Sequence, residues 1–340
     1  MPALPHSDQT AAMNDQKHSP QADRNYQGAA TTGVQYISVG EHATGQRLDN
    51  FLMSRLRGLP KSHLYRLIRK GEIRINKKRC KPDSRVTEGD VVRVAPLRLS
   101  VRDAPVPPGA ELQRALQQSI LYEDDHLLLL NKPAGMPVHA GTGTAAGVIE
   151  ALRHMAGEGG YRELAHRLDK ETSGCLLVAK SAIALKTLQV AFKKRQVSKI
   201  YQAIVHGSWS ADLTQVDAPL LRVQPQQGER IVKTDNSGKS AQTEFRLLKD
   251  YGTASLIEAR PLTGRTHQIR VHCQQAGHPI LGDDKYTYHR PHSFGKLRFL
   301  CLHASALSLD HPVSGQTLAV SAPLRSAMQE LLTQLDESRA

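Results

Sequence analysis

The chain of 340 residues carries 45 Lys and Arg against 32 Asp and Glu, a net charge of +13, with 39% apolar residues and one Trp. That is length for two domains and a tail, with apolar content for an ordinary core that needs no staples. Cys80, Cys175, Cys273 and Cys301 lie far apart, with no Cys-x-x-Cys and no secretory leader, which argues against disulfides and a structural zinc and for a reducing, cytoplasmic setting. No stretch approaches the length of a membrane span.

The first 33 residues, rich in Gln, Ser, Thr, Ala and Asp, lack an apolar run or periodicity and read as a disordered polar tail. Residues 47–57 place Leu48, Phe51, Leu52 and Leu56 on one helical stripe, which Gly58-Leu59-Pro60 ends. The spacing predicts a second helix over 62–70, capped by Ser62, with Leu64, Leu67 and Ile68 inward, Arg66, Arg69 and Lys70 outward, and Gly71 closing it. Alternation through Ile73-Arg74-Ile75, a basic run from Lys77 to Lys81, and Val91-Val92-Arg93-Val94 after Glu88-Gly89-Asp90 predict a small sheet. Between Arg47 and Arg98 stand fifteen Lys/Arg and five Asp/Glu, so +10 of the +13 sits there. A block that local is either a solvated face or a polyanion footprint. Two helices followed by a small basic sheet resemble the S4 RNA-binding fold, and RLDNFL, RKGEIRIN and VTEGDVVRV match its most recognisable segments. The resemblance implies an RNA-gripping module over 34–95, with Lys61, Arg66, Arg69, Lys70, Arg74, Lys77, Lys78 and Arg79 as phosphate contacts that carry little base information.

Residues 96–117, with four prolines, read as a linker. A second domain over 118–335 begins with strands at 120–123 and 127–130, joined through Asp124-Asp125. Further strands are expected at 175–180, 199–206, 241–248, 254–260 and 317–321, and helices at 147–156, 181–195, 267–276 and 324–335. Strands outnumber helices and often run consecutively, so the expected class is α+β, with a mixed, mainly antiparallel sheet.

Other motifs fail on context. Gly141 to Ala146 fits a dinucleotide pattern, but the turn-rich Pro133–Pro137 precedes it where a strand should run into the first glycine. Gly238-Lys239-Ser240 would need a glycine where Lys233 stands. His267 and His272 are five apart, whereas zinc ligation from one helix face wants four.

The segments that carry chemistry are His166-Arg167-Leu168-Asp169-Lys170-Glu171-Thr172-Ser173-Gly174, Lys199-Ile200-Tyr201-Gln202-Ala203-Ile204-Val205-His206-Gly207 and Gly264-Arg265-Thr266-His267-Gln268-Ile269-Arg270-Val271-His272. An isolated Arg-x-Asp is more often a local ion pair in a turn. In this order, however, the three resemble the motifs of the RluA/RluC family of RNA pseudouridine synthases, over roughly residues 34–335. The S4 module and the run from Lys61 to Pro82 look most like the RluC-type branch, which modifies 23S ribosomal RNA at several uridines.

The resemblance implies breakage of the N1–C1′ bond of a flipped uridine, rotation of the uracil and formation of a C5–C1′ bond. No redox change or net hydrolysis occurs, so no cofactor is implied, and neither a metal nor an obligate protein partner. The carboxylate would be Asp169, with Arg270 as the cation that keeps it charged, Tyr201 stacking on the uracil with its hydroxyl as a possible base, and Arg167 filling the space left in the RNA. Were 166–169 extended, Arg167 and Asp169 would share a face opposite Leu168. A non-catalytic RNA-binding protein would explain the charge but not this trio. A glycosidase would need a second carboxylate, and Glu171 is the one near by.

Overall fold

The computed structural model describes residues 33–40, 43–56, 59–97, 108–140, 146–157, 160–223, 231–287 and 297–338. The polar tail expected over 1–33 and the glycine run at 141–146 fall almost wholly outside them. The chain divides into two compact units, Met1–Ala104 and Pro105–Ala340.

In the first unit β1 (Gln35–Ser38) precedes α1 (Leu48–Arg55), α2 (Lys61–Lys70), β2 (Ile73–Ile75), β3 (Lys78–Arg79) and β4 (Val91–Val94). The sheet runs β1-β4-β2-β3, antiparallel throughout. Leu48, Phe51, Leu52 and Leu56 are buried with Leu64, Leu67 and Ile68 against Ile73, Val92 and Val94, as the two helical stripes require. Ser62 does not cap α2: the helix starts one residue earlier, after Pro60, whose ring already fixes the entry, and no side chain accepts there. Gly71 closes the helix at φ +75°, in the left-handed region. β1, an edge strand with Tyr36 and Ser38 outward, is too short to show its own alternation.

The second unit comprises α3 (Ala110–Gln118), β5 (Ile120–Glu123), β6 (Leu127–Lys132), α4 (Val148–Ala156), β7 (Glu163–Leu164), β8 (Ser173–Ala179), α5 (Ala182–Lys193), β9 (Ser198–His206), β10 (Gln215–Asp217), β11 (Leu220–Val223), β12 (Ile231–Thr234), β13 (Gln242–Asp250), β14 (Ala254–Pro261), α6 (Gln268–Gln275), β15 (Leu302–Asp310), β16 (Thr317–Ser321) and α7 (Ser326–Glu337). The expected linker therefore ends early. Residues 110–118 form α3 because Leu112 and Leu116, four apart, both pack on the core beneath.

Among the described residues the main sheet has ten strands, ordered β10-β13-β14-β9-β15-β8-β6-β5, with β16 on β15 and β7 on β8. Only the β15–β8 pair is parallel, so the sheet is mixed and mainly antiparallel. That pair is the join between two cores. One lies under β6, β8, α4 and α5, the other under β9, β14, α6 and α7, and Tyr201 on β9 packs against both. Gly174 stands at the join with φ +107°, and a Cβ there would lie 2.2 Å from the Ala304 carbonyl oxygen, so only glycine lets the strands approach.

Candidate active site

Asp169 sits in the loop that links β7 to β8, and that loop is tied down at both ends. At its start the Leu177 N–H donates to His166 Nε2 (3.0 Å), and the imidazole stacks on Phe192 at 5.2 Å between ring centres. Burial, and after it the nearby Lys199 ammonium, push His166 down to about 4, so it serves as a neutral acceptor. In the middle Leu168 is buried in the core while Arg167 is exposed and Asp169 half-buried, the alternation an extended segment imposes. At its end the Nζ of Lys132, wholly buried, donates to the carbonyls of Pro133 (2.7 Å), Met136 (2.9 Å) and Lys170 (3.0 Å). Burial pulls this lysine down to about 7, with the Glu171 and Asp169 charges opposing, and its three carbonyl acceptors match the three N–H groups of an ammonium.

Arg270 comes from the first turn of α6. Its guanidinium forks onto Asp283, Nε to Oδ2 and Nη2 to Oδ1, both at 2.7 Å, and lies 5.0 Å from the Tyr286 ring centre. Nη1 points to Asp169, 3.9 Å from Oδ2. Asp283 also accepts from the backbone N–H of Lys285 and Tyr286. Its turn requires Gly282, at φ +72°, where a Cβ would collide with the Phe299 carbonyl oxygen. Burial works against the Arg270 charge, but the Asp283 bonds and charge outweigh it, with Asp169 adding to them, so the guanidinium is held above its ordinary pKa.

The turn that leads into α6 is shaped by Gln268, also buried. Its Oε1 accepts from the Thr263 hydroxyl (2.6 Å) and the Arg265 N–H (3.0 Å), while Nε2 donates to Gln242 O (2.9 Å) and Thr243 Oγ1 (3.0 Å). His272 is a structural histidine: Nε2–H donates to Ala218 O and Thr243 donates to Nδ1.

These elements enclose a cleft of about 960 Å³, within the usual range for a ligand site. Arg167, Asp169, Lys199, Tyr201, His267 and Arg270 all line it. Tyr201 meets the cleft from β9, its phenol pushed well up first by burial and then by the Asp169 charge, so it is protonated at neutral pH. Glu171, by contrast, is exposed, pairs with Lys170 and does not line the cleft. In the first unit Lys61, Arg66, Arg69, Lys70, Arg74, Lys77, Lys78 and Arg79 are all exposed. Lys132, Asp283 and Tyr286 were not among the candidates from sequence. A buried lysine in Asn131-Lys132-Pro133 and an aspartate after Gly282 have no spacing that ties them to Asp169, and the closure of the sheet alone brings them there.

A cleft in which the Asp169 carboxylate faces a caged arginine, at the join of two sheet halves, in a chain with a separate basic two-helix module, is the arrangement expected of the RNA pseudouridine synthase class. Residues 126–275 match the family model for RNA pseudouridylate synthase and residues 46–92 that for the S4 domain. The chain belongs to this family. It is 45% identical over 314 residues to the ribosomal large subunit pseudouridine synthase C of Vibrio cholerae, covering 90% of this chain and 98% of that one. With the protein of the same name from Escherichia coli K12 it shares 44% over 318 residues, 91% and 99% of the two chains. Among solved structures, human RNA pseudouridylate synthase domain containing 4 superposes with a TM-score of 0.57 at 28% identity, over 66% of this chain and 96% of that one. Among the described residues no helix is long and apolar enough to cross a membrane.

Proposed function

We propose that this pseudouridine synthase acts on uridines of 23S ribosomal RNA, in the cytoplasm, with residues 34–95 gripping the RNA and residues 118–335 carrying the chemistry. The relatives at 44–45% identity are named for the large ribosomal subunit, which supports the target class. Eight of the exposed cations of the first unit, Lys61, Arg66, Arg69, Lys70, Arg74, Lys77, Lys78 and Arg79, supply phosphate contacts.

In this reading Asp169 is the carboxylate that works on the ribose and base while the N1–C1′ bond breaks and the C5–C1′ bond forms. The observation that carries it is the placement of Asp169, 21% exposed at the cleft and 3.9 Å from an arginine whose other face is fixed by Asp283. A cation locked in this way sets a fixed positive charge beside the carboxylate where RNA excludes water. Tyr201 stacks on the uracil; its protonated phenol makes it a poor base in the free enzyme. Arg167, exposed on the cleft wall, takes the place of the extruded nucleotide. Glu171, the second carboxylate near Asp169 in sequence, lies outside the cleft, whose other carboxylate is Glu244 on β13.

The test is to map pseudouridines on unmodified 23S rRNA, with wild type beside Asp169→Asn. The substitution keeps shape and removes charge, so isomerisation stops while RNA affinity changes little. A variant with a tenth or more of the wild-type single-turnover rate would remove Asp169 from this role.

A further inference from the structure

His267 is the N-cap residue of α6, yet its side chain makes no capping bond. Its backbone is left-handed, φ 53° and ψ 21°, a region that residues other than glycine seldom occupy. Its carbonyl accepts the first helical bond, from the Val271 N–H at 3.0 Å, but its side chain does not cap the helix and is turned to other partners.

The imidazole lies between two partners. Nδ1 is 2.7 Å from the Tyr286 hydroxyl, and Nε2 is 3.8 Å from Asp169 Oδ2, the same oxygen that Arg270 approaches. Counting hydrogens fixes the tautomer. The Val232 backbone N–H, 3.1 Å from the Tyr286 oxygen, can only donate, so that oxygen accepts there. Tyr286 is buried, and His267 Nδ1 is the acceptor within reach of its own proton; with Nδ1 protonated instead, the phenol would be left with an unmet buried donor, at about 1–3 kcal/mol. The imidazole proton therefore sits on Nε2, facing Asp169.

We propose that His267 is a positioning residue for Asp169, its Nε2–H aimed at the carboxylate by a chain that runs from Val232 N–H through the Tyr286 hydroxyl to Nδ1. The inference rests on the reading of Asp169 as the reacting carboxylate. Burial drives the His267 pKa below its ordinary value; Asp169 opposes this, Arg270 and Lys285 add to burial, and Asp283 opposes, so the ring is neutral at pH 7 and has one N–H to give. A shift of about 1 Å closes 3.8 Å to the length of a charge-assisted hydrogen bond. Arg270 Nη1 and His267 Nε2–H then approach Oδ2 from two sides, and together they fix the carboxylate more closely than the guanidinium alone. The Tyr286 ring also packs on Arg270, so one side chain steadies both groups that face the carboxylate.

The experiment compares full-length wild type, His267→Ala, His267→Gln, Tyr286→Phe and Asp169→Asn on unmodified 23S rRNA. It reads single-turnover rate, RNA affinity and melting temperature separately. His267→Ala is expected to lower the rate about 10- to 100-fold, the loss that about 1 Å of misplacement causes, with affinity unchanged within about twofold. His267→Gln returns an N–H near the Nε2 position and recovers most of the rate. Tyr286→Phe keeps the ring over Arg270 but frees the tautomer, and falls between the two. A His267→Ala rate within about twofold of wild type overturns the proposal, as does His267→Gln failing to exceed His267→Ala. If the alanine variant does not fold, the glutamine and phenylalanine variants decide: near-normal turnover by Tyr286→Phe, or a lost rate in a folded His267→Gln, overturns it. An active Asp169→Asn overturns the underlying reading, whereas an inactive one beside normal His267 variants overturns this inference alone.

Discussion

At Arg270 one guanidinium faces two carboxylates, and the two contacts are unequal. The fork onto Asp283 at 2.7 Å is a buried bidentate pair, while the approach to Asp169 at 3.9 Å is a looser contact with no direct hydrogen bond. Lysine keeps the charge but cannot form the fork and still project a second donor toward Asp169. Arg270→Lys should therefore impair single-turnover isomerisation, and Arg270→Ala should impair it more; equal, near-normal rates for both would show that this arginine is not Asp169's partner. Asp283→Asn should act through stability as well, because it strips the counter-charge from an arginine only 8% exposed. A broken buried pair costs about 3–5 kcal/mol, readable as a lowered denaturant midpoint. Asp169, Tyr201 and Arg270 were legible in the sequence because each lies within a run whose order could be matched. Asp283, Tyr286 and Lys132 were not, since each meets the site only through tertiary closure.

Among the elements, those with strong local signals were read within a residue or two: β4, β5, β9 and α4 carry unbroken apolar runs or clear stripes. β15 escaped, although it is central. His303 and two serines dilute its pattern, and the structure shows why a histidine is tolerated there: Nε2–H donates to Ala322 O and the Ser173 hydroxyl donates to Nδ1, so the ring is satisfied in the interior. The turn between β5 and β6, by contrast, was visible as Asp124-Asp125. Asp124 caps it, accepting from the Tyr122 hydroxyl (2.6 Å) and from the N–H groups of His126 and Leu127 (both 2.7 Å), with His311 Nε2 at 3.0 Å. Burial raises its pKa, but these bonds outweigh that and take it down to about 2. A carboxylate depressed on folding stabilises above its unfolded pKa near 4, and that contribution is lost as pH falls toward 2. With its side chain 27% exposed, the amount is discounted for solvent to about 1–2 kcal/mol. Urea midpoints at pH 7 should thus be lower for Asp124→Asn than for wild type, with the gap closing between about pH 4 and pH 2; a constant gap across that range would remove Asp124 from the turn's electrostatics.

For the whole molecule the useful fact is that the block of charge and the cleft sit in different compact units. The first unit holds +10 of the net +13 between Arg47 and Arg98 and has its own core, whereas Asp169, Tyr201 and Arg270 all belong to the second. The sequence made this division legible because a block of charge needs no tertiary contact to be seen. The end of the linker was obscured because α3 shows only two apolar positions on one face. If phosphates are gripped by the first unit, affinity and its salt dependence should change there without touching the chemical step. Replacing Lys77, Lys78 and Arg79 together by Gln removes three exposed cations from the β2–β3 hairpin. Each lost phosphate contact lowers the slope of log affinity against log salt by roughly 0.7–0.9, so the triple variant should lose about two units of slope on 23S rRNA and bind more weakly at low salt. On a short uridine hairpin at saturating concentration its single-turnover rate should match wild type, because Asp169, Arg270 and His267 are unaltered. An unchanged slope would make this basic hairpin a solvated surface, and an equal fall in the saturated rate would mean that the first unit takes part in the chemical step.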